Sequence, residues 1–364
     1  MNKRLAIVNH NLGSGGAEKL IYDMALELKN INIKFSIILL TNVNDIYGKK
    51  LQEAGIDVVY LSDKWDIYNP KNIFKLKKIL KKYDVIHTHT YSAQLWTAFA
   101  SLFLDKNKKY ITTEHSTSNR RRKKKIFKYL DKWMYRQYDT IVSITKNIQE
   151  SLELWLDNKN SSKYKIIKNG INLNDYLSVK PKSREKEGFV IEENLIIMVG
   201  RFTEAKNHET LLKALKELPR SYKVLLAGEG ELKKKIQNLV EELALCDRVK
   251  FLGYRSDIPE IIKMCNIGVL SSNWEGMPLS AIEIMALEVP FLGSNVAGIK
   301  DLVNNKLMLF ENGDSKELKE KILELEKKKE LRDEIILKGK IISQKYDIAG
   351  VIKSYIEIYE GEKK

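Results

Sequence analysis

The chain has 364 residues, of which 43% are hydrophobic and 30% charged, and its formal net charge is +15. That length points to two domains rather than one core, and the composition excludes disordered, collagen-like and low-complexity classes. Its two cysteines, Cys246 and Cys265, form no CxxC pair, which excludes a disulfide framework and fits a reducing compartment.

RLAIVNH, from Arg4 to His10, reads as a buried strand. Its apolar part is too short for a signal-peptide core, so a cytoplasmic location is expected. NLGSGGAEKL follows, and Gly13, Gly15 and Gly16 let backbone amides approach an anion at a helix N-terminus. As a dinucleotide fingerprint it is incomplete, because position 18 is Glu, and the second strand ends in LLTN without the acid that holds an NAD ribose. AEKLIYDMALELKN is an amphipathic helix. The segments KFSIILL, IDVVYL, DVIHTH, KKYITTEH, YDTIVSIT and YKIIKN then read as strands separated by helical stretches. This βα rhythm predicts a parallel sheet with helices on both faces. The longest apolar run, Leu95 to Leu104, falls short of the ~20 residues a membrane span needs.

The whole charge excess falls in residues 1–180. Its densest part is RRRKKKIFKYLDKWMYRQY, Arg120 to Tyr138, which opens with Arg120, Arg121, Arg122, Lys123, Lys124 and Lys125. Ile126, Phe127, Leu130, Trp133, Met134 and Tyr138 recur at helical spacing as one face. Lys128, Lys132 and Arg136 form another. Such a basic amphipathic helix predicts contact with an anionic membrane surface. No zinc finger, RNP motif or helix-turn-helix signature accompanies it, so nucleic acid is not expected.

Polar residues 177–193 interrupt the rhythm and are expected to form a linker. Five further strands follow: NLIIMVG, YKVLLAG, RVKFLG, NIGVLSS and VPFLGS. Ligands of doubly wound sheets bind beyond the carboxyl ends of the strands, which directs attention to two loops. VGRFTEAKNH carries Arg201 and Lys206, two cations suited to a diphosphate. NWEGMPLSAIEIMA carries Glu275 and Glu283 on either side of a Gly-Met-Pro turn that opens a helix. Helix-start chemistry explains Glu283 but not Glu275. Together the two acids can accept hydrogen bonds from the hydroxyls of one small molecule. The chain closes with an amphipathic helix, YDIAGVIKSYIEIYEGEKK.

In order and spacing, GSGGAEK, DVIHTHT, TTEHS, KNGIN, VGRFTEAKNH, GEGELKKKI and the run from Tyr254 to Pro290 resemble the retaining family 4 glycosyltransferases of the GT-B fold. The resemblance implies an α/β architecture of two Rossmann-like domains, 1–180 for the acceptor and 181–345 for the donor, facing a cleft. Residues 346–364 would form a helix that packs back on the first domain. It implies a hexosyltransferase that uses a nucleotide sugar, a UDP-sugar being expected, and a glycan or lipid-linked acceptor in capsular or exopolysaccharide assembly. The enzyme would sit peripherally on the inner face of the membrane.

By the same resemblance, Glu275 would hold donor-sugar hydroxyls and Glu283 the ribose, while Arg201 and Lys206 would bind the diphosphate. Gly15, Gly16, Gly276, Met277, Pro278 and Leu279 would line the donor, and His115 would stand by the donor sugar. NVAGIKDLV departs from the family's V-G-G-I pattern in placing Ala297 before Gly298. No D-x-D-like aspartate cluster is present, so neither a metal nor a cofactor is expected. Two other function classes fit parts of the chain: a nucleotide-sugar 2-epimerase of the same architecture, and a non-catalytic polyanion-binding protein.

Overall fold

The structure, a computed structural model, describes residues 3–13, 15–116, 122, 124–159 and 162–361. Two compact units emerge: Met1–Gly170 with Ile348–Lys364, and Ile171–Asp347.

In chain order the first unit contains β1 (Leu5–Asn9), α1 (Gly16–Asn30), β2 (Phe35–Leu39), α2 (Tyr47–Glu53), β3 (Val58–Tyr60), α3 (Asn72–Leu80) and β4 (Val85–Thr88). There follow α4 (Tyr91–Ser101), β5 (Lys109–Glu114), α5 (Ile126–Arg136), β6 (Thr140–Ser143), α6 (Lys146–Leu156) and β7 (Tyr164–Ile166). Among the described residues these strands form a seven-stranded parallel sheet, ordered β3-β2-β1-β4-β5-β6-β7. Chain order runs outward in both directions from the β1–β4 pair. Right-handed crossovers therefore place α1 and α2 on one face and α3 to α6 on the other. The central strands are buried, β1 at every residue and β4 and β5 likewise, because both faces are covered. Val8, Ile38, Ile86, Leu76, Trp96 and Met134 share one core.

The second unit contains α7 (Asn174–Leu177), β8 (Asn194–Val199), α8 (His208–Glu217), β9 (Tyr222–Ala227), α9 (Lys233–Glu242), β10 (Val249–Gly253) and α10 (Ile258–Met264). Then come β11 (Ile267–Leu270), α11 (Leu279–Ala286), β12 (Phe291–Ser294), α12 (Ala297–Val303), β13 (Leu309–Phe310), α13 (Ser315–Lys327) and α14 (Lys329–Gln344). Its parallel sheet is ordered β10-β9-β8-β11-β12-β13. β13, only two residues long, adds a strand to the five read from the sequence. Residues 177–193 do not act as a free linker throughout. The Arg184 guanidinium donates to the carbonyls of Met264, Ile191 and Glu193 and to Asn266 Oδ1, tying this stretch to the second unit. The chain enters and leaves that unit side by side, with the Ile171 amide on the Tyr346 carbonyl at 2.9 Å.

The closing helix, α15 (Ile348–Glu360), belongs to the first unit, where it packs on α1. Val351, Ile352, Tyr355 and Tyr359 form its buried face. Its terminal carbonyls are met by two cations. Lys3 Nζ donates to Tyr359 and Glu360, and Lys109 Nζ donates to Ile358 and Gly361. Both complement the negative end of the helix dipole. Tyr355→Ala, which empties a covered aromatic site, is expected to destabilise the first unit by about 3–5 kcal/mol. Lys353→Ala, on the exposed face, should shift it by less than about 0.5 kcal/mol. Chemical unfolding of both variants measures the contrast.

Candidate functional site

The second sheet reverses its order between β8 and β11. Loops leaving two such neighbours diverge and open a crevice at their carboxyl ends. The loop after β8 holds Arg201 and Lys206; the loop after β11 holds Glu275. Lys206 Nζ lies 2.6 Å from Glu275 Oε1, and the same oxygen accepts from Ser272 Oγ at 2.6 Å. The two side chains are mostly covered, 17% and 11% exposed. Lys206 runs over Gly200, where an added Cβ would stand 3.1 Å from its Cε.

Polar side chains stitch the loops together. Asn207, in the left-handed region at φ 46° where asparagine is tolerated, donates to Thr210 Oγ1 and Asn273 Oδ1. Asn273 returns its amide to the Ala205 carbonyl and its side chain to Glu204, while Ser271 Oγ donates to the Asn207 carbonyl. Arg201 is exposed, and among the described residues no carboxylate pairs with it.

Met277, Pro278 and Leu279 are buried at the start of α11, with Pro278 as the extended residue that precedes the helix. Glu283 sits about one turn further on, half-buried, and accepts from Tyr176 Oη at 3.1 Å. Gly298 explains the unusual Ala-Gly pair. A Cβ at 298 would lie 2.4 Å from the Gly276 carbonyl oxygen, so glycine is required there for α12 to back the turn, while Ala297 opens the helix. The loop after β9 lies against the loop after β8 in the same way: Gly228, at φ +142°, would place a Cβ 2.2 Å from the Gly200 carbonyl oxygen.

In the first unit the switch lies between β1 and β4. Gly15 precedes α1, which begins at Gly16, and the Glu18 carboxylate folds back over Gly15, 3.9 Å from His10 Nε2. His10 Nδ1 meets Thr90 Oγ1 at 3.0 Å across the switch. His115 follows β5, with its Nε2 3.1 Å from His89 Nδ1, and His89 packs on His87. Burial depresses all four imidazoles: His10 and His115 to about 4, His87 to about 3, and His89 well below its ordinary value, with neighbouring histidines adding to the last two. They are neutral at physiological pH.

The basic segment separates into distinct environments. Arg120, Arg121 and Lys123 lie outside the described residues. Arg122 turns inward: its Nη2 is 3.7 Å from Glu114 Oε2, and Nη1 donates to Ser151 Oγ. Glu114 also accepts from Gln94 and Tyr135, at 2.7 and 2.5 Å. Lys128 and Lys132 converge on Asp157, at 2.9 and 2.8 Å, and hold its carboxyl down to about 2. Lys124 and Lys125 are exposed. Ile126, expected on the inward face, is instead 75% exposed beside Tyr129 at 76%. They are i and i+3 in the first turn of the helix, ahead of the segment that reaches the core.

The sequence reading missed Ser272, Asn207, Asn273, Tyr176 and His10. The first three are polar residues in the loops that follow strands and carry motifs already recognised, which is a usable signal. Tyr176 precedes Glu283 by 107 positions and carries no local signal.

Two family models match, Glycosyltransferase Family 4 over residues 14–175 and Glycosyl transferases group 1 over residues 179–341. The chain is 26% identical over 327 residues to the putative glycosyltransferase EpsD of Bacillus subtilis (strain 168), covering 83% of this chain and 86% of that one. It is 28% identical over 257 residues to the Escherichia coli UDP-Gal:alpha-D-GlcNAc-diphosphoundecaprenol alpha-1,3-galactosyltransferase, covering 66% of this chain and 65% of that one. Among solved structures, Anabaena Alr3699/HepE in complex with UDP and glucose superposes with a TM-score of 0.85 at 20% identity, covering 98% of this chain and 99% of that one.

Arg122→Met is expected to lower stability by about 1–3 kcal/mol, because it leaves the buried Glu114 carboxylate short of a cationic partner. Thermal melting checks it. An unchanged melting temperature combined with lost vesicle binding would instead place Arg122 on a lipid surface.

Proposed function

The chain belongs to the family 4 and group 1 glycosyltransferases of the GT-B fold, and from that premise we propose that it transfers a hexose, with retention, from a UDP-sugar to a lipid-linked glycan in cell-surface polysaccharide assembly. The observation that carries this reading is the Lys206–Glu275 contact at the β8–β11 switch, with Glu283 one turn along α11. Support for the donor and acceptor classes comes from the E. coli relative, whose name specifies UDP-Gal and a diphosphoundecaprenol-linked acceptor, and from the UDP and glucose in the Anabaena structure.

In this reading Lys206 and Glu275 are each other's partners before the donor arrives. When the donor binds, the Lys206 ammonium exchanges Glu275 for the diphosphate. Glu275 is thereby released to accept from sugar hydroxyls, and Glu283, aligned by Tyr176, accepts from the ribose. Met277, Pro278, Leu279 and Gly276 shape the wall beside them. His115 of the first unit is assigned to a hydroxyl of the sugar being transferred, and Gly15 and Gly16 offer amides to an anion. As the bond from C1 to the phosphate oxygen breaks, its electron pair leaves with the diphosphate, and Arg201 and Lys206 stabilise the developing charge in place of a metal. The acceptor oxygen attacks the same face, its proton passes to the departing phosphate oxygen, and the products are the glycoside and a nucleoside diphosphate.

The membrane contact is assigned to Lys124 and Lys125 with the exposed Ile126 and Tyr129, cations beside apolar groups able to enter an interface. Among the described residues no helix is long and apolar enough to cross a membrane.

Glu283→Ala is expected to raise the KM for the nucleotide sugar by about tenfold or more, whereas Glu275→Ala mainly lowers kcat, by about a hundredfold. Steady-state kinetics with a lipid-diphosphate acceptor separate the two, and full activity in both variants would remove the donor-site reading. EDTA should leave the native rate unchanged. A second expectation concerns charge. Asp157→Asn releases Lys128 and Lys132 and should tighten binding to anionic vesicles, while Ile126→Glu with Tyr129→Glu should weaken it. Cosedimentation with phosphatidylglycerol against phosphatidylcholine vesicles tests both signs.

A further inference from the structure

Residues 61–71, between β3 and α3, leave the first sheet at the same carboxyl edge as the β1–β4 switch. Their backbone is pinned from below. Thr41 Oγ1 donates to the Lys64 carbonyl at 2.8 Å, Asn72 Nδ2 to that of Asp66 at 3.2 Å, and Trp96 Nε1 to that of Ile67 at 2.7 Å. All three donors belong to buried residues. Trp65, carried on this anchored stretch, is nevertheless 53% exposed. Its ring stands perpendicular to that of His10, with centroids 6.1 Å apart. A tryptophan held on a pinned loop and left open to solvent has little freedom left to lose when something packs on it. The stretch is electrically balanced, Asp63 and Asp66 against Lys64 and Lys71, so it lacks the excess of cations that draws a surface to anionic lipid.

The hydrogen bonds around His10 fix which of its nitrogens is bare. Burial keeps the ring neutral, its pKa lowered to about 4. Asn9 is fully buried and its Nδ2 donates to the Asn11 carbonyl, so its Oδ1 needs a donor, which Thr90 Oγ1 supplies at 2.6 Å. With its one proton spent there, Thr90 Oγ1 accepts from the His10 amide at 3.2 Å and from His10 Nδ1 at 3.0 Å. The opposite tautomer would turn the Thr90 proton toward His10 and strand the Asn9 Oδ1, a buried oxygen, at the full cost of its desolvation. His10 therefore carries its proton on Nδ1 and a lone pair on Nε2. The side chain is 20% exposed, and Glu18 Oε1, at 3.9 Å from Nε2, lies beyond hydrogen-bond distance.

We propose that Trp65 and His10 form a pyranose subsite for the acceptor glycan, in which the C–H face of one sugar ring lies on the Trp65 indole and a hydroxyl of that sugar donates to His10 Nε2. Ring C–H groups carry partial positive charge and the indole face is negative. A sugar also brings hydroxyl donors, which suit a bare imidazole nitrogen. Neither side chain carries the charge a diphosphate needs, which separates this pair from the donor loops of the second unit. The sugar chemistry stands on these two side chains; calling the bound ring an acceptor rests on the transferase reading.

Methyl α-glycosides of glucose, galactose, N-acetylglucosamine and N-acetylgalactosamine serve as probes, since stacking reads the C–H face that pyranoses share. Each is titrated to about 100 mM, enough to saturate a millimolar site, into the full chain labelled with nitrogen-15 at tryptophan and histidine. Of the five tryptophans, Trp65 is identified by the NMR signal lost in Trp65→Phe. The expected result is a saturable shift of the Trp65 indole signal with at least one glycoside, while Trp133 and Trp155 stay still. His10 should be protonated on Nδ1, with its Nε2 shifting as the sugar binds. Trp65→Ala, read at His10, should weaken that binding about tenfold or more and leave the calorimetric affinity for UDP unchanged, and saturating UDP should not displace the glycoside. An unmoved Trp65 signal with all four probes overturns the subsite, and His10 protonated on Nε2 overturns its hydrogen-bond role. Displacement by UDP, or loss of UDP affinity in Trp65→Ala, moves the sugar to the donor and overturns the acceptor assignment. A blue shift of tryptophan emission on phosphatidylglycerol vesicles that Trp65→Phe abolishes, without any glycoside response, makes Trp65 a membrane anchor instead. A chain that binds glycoside at Trp65 but no UDP keeps the sugar site and removes the transferase reading; UDP binding without glycoside binding does the reverse.

Discussion

The ion pair between Lys206 and Glu275 is the constraint around which the second unit is organised. An ammonium and a carboxylate that are each mostly covered gain little net stability from one another, because desolvation offsets their attraction. Here they are also fixed by Ser272 and by an asparagine lattice that joins the two loops on either side of the sheet's reversal. Such a pair is better understood as a site held ready: a cation where a diphosphate would arrive, and an acceptor where hydroxyls would. The glycines around it have the same logic. Gly298 lets α12 close against the turn that presents Glu275, and Gly228 lets the next loop reach the Gly200 carbonyl. A side chain at either position would collide with the backbone it faces, that of Glu275–Gly276 or of Gly200.

The first unit shows the same placement with different chemistry. Its reversal gathers neutral imidazoles and the start of α1 rather than an ion pair. Burial holds His10, His87, His89 and His115 uncharged, so this half offers hydrogen bonds of fixed direction and little charge. Positive charge is instead displaced to the periphery, and much of it is already satisfied: Arg122 by Glu114, and Lys128 with Lys132 by Asp157. Of the run of six cations, Lys124 and Lys125 are exposed among the described residues, and Arg122 is turned inward.

Strand positions and the motif-bearing loops were readable because buried parallel strands are rich in apolar and β-branched residues, and because glycine, proline and charge cluster where such strands end. Contacts made across long sequence separations were not readable. Nothing near Tyr176 marks it as the partner of Glu283. Tyr355 and Tyr359 look like ordinary core positions on an amphipathic helix until the fold brings them under His87. The outward turn of Ile126 was hidden for a related reason. Periodicity fixes which residues share a face but not where along the helix that face leaves the core. β13, two residues long, is too short to carry any pattern.

The central claim is that Lys206 exchanges one anion for another. Its most direct test is the affinity for UDP, measured calorimetrically, of Glu275→Gln against the native chain. Removing the competing carboxylate while keeping its shape should tighten UDP binding by about three- to tenfold, the scale of one partly exposed ion pair, although turnover falls. UDP binding that is unchanged or weaker in Glu275→Gln would contradict the exchange.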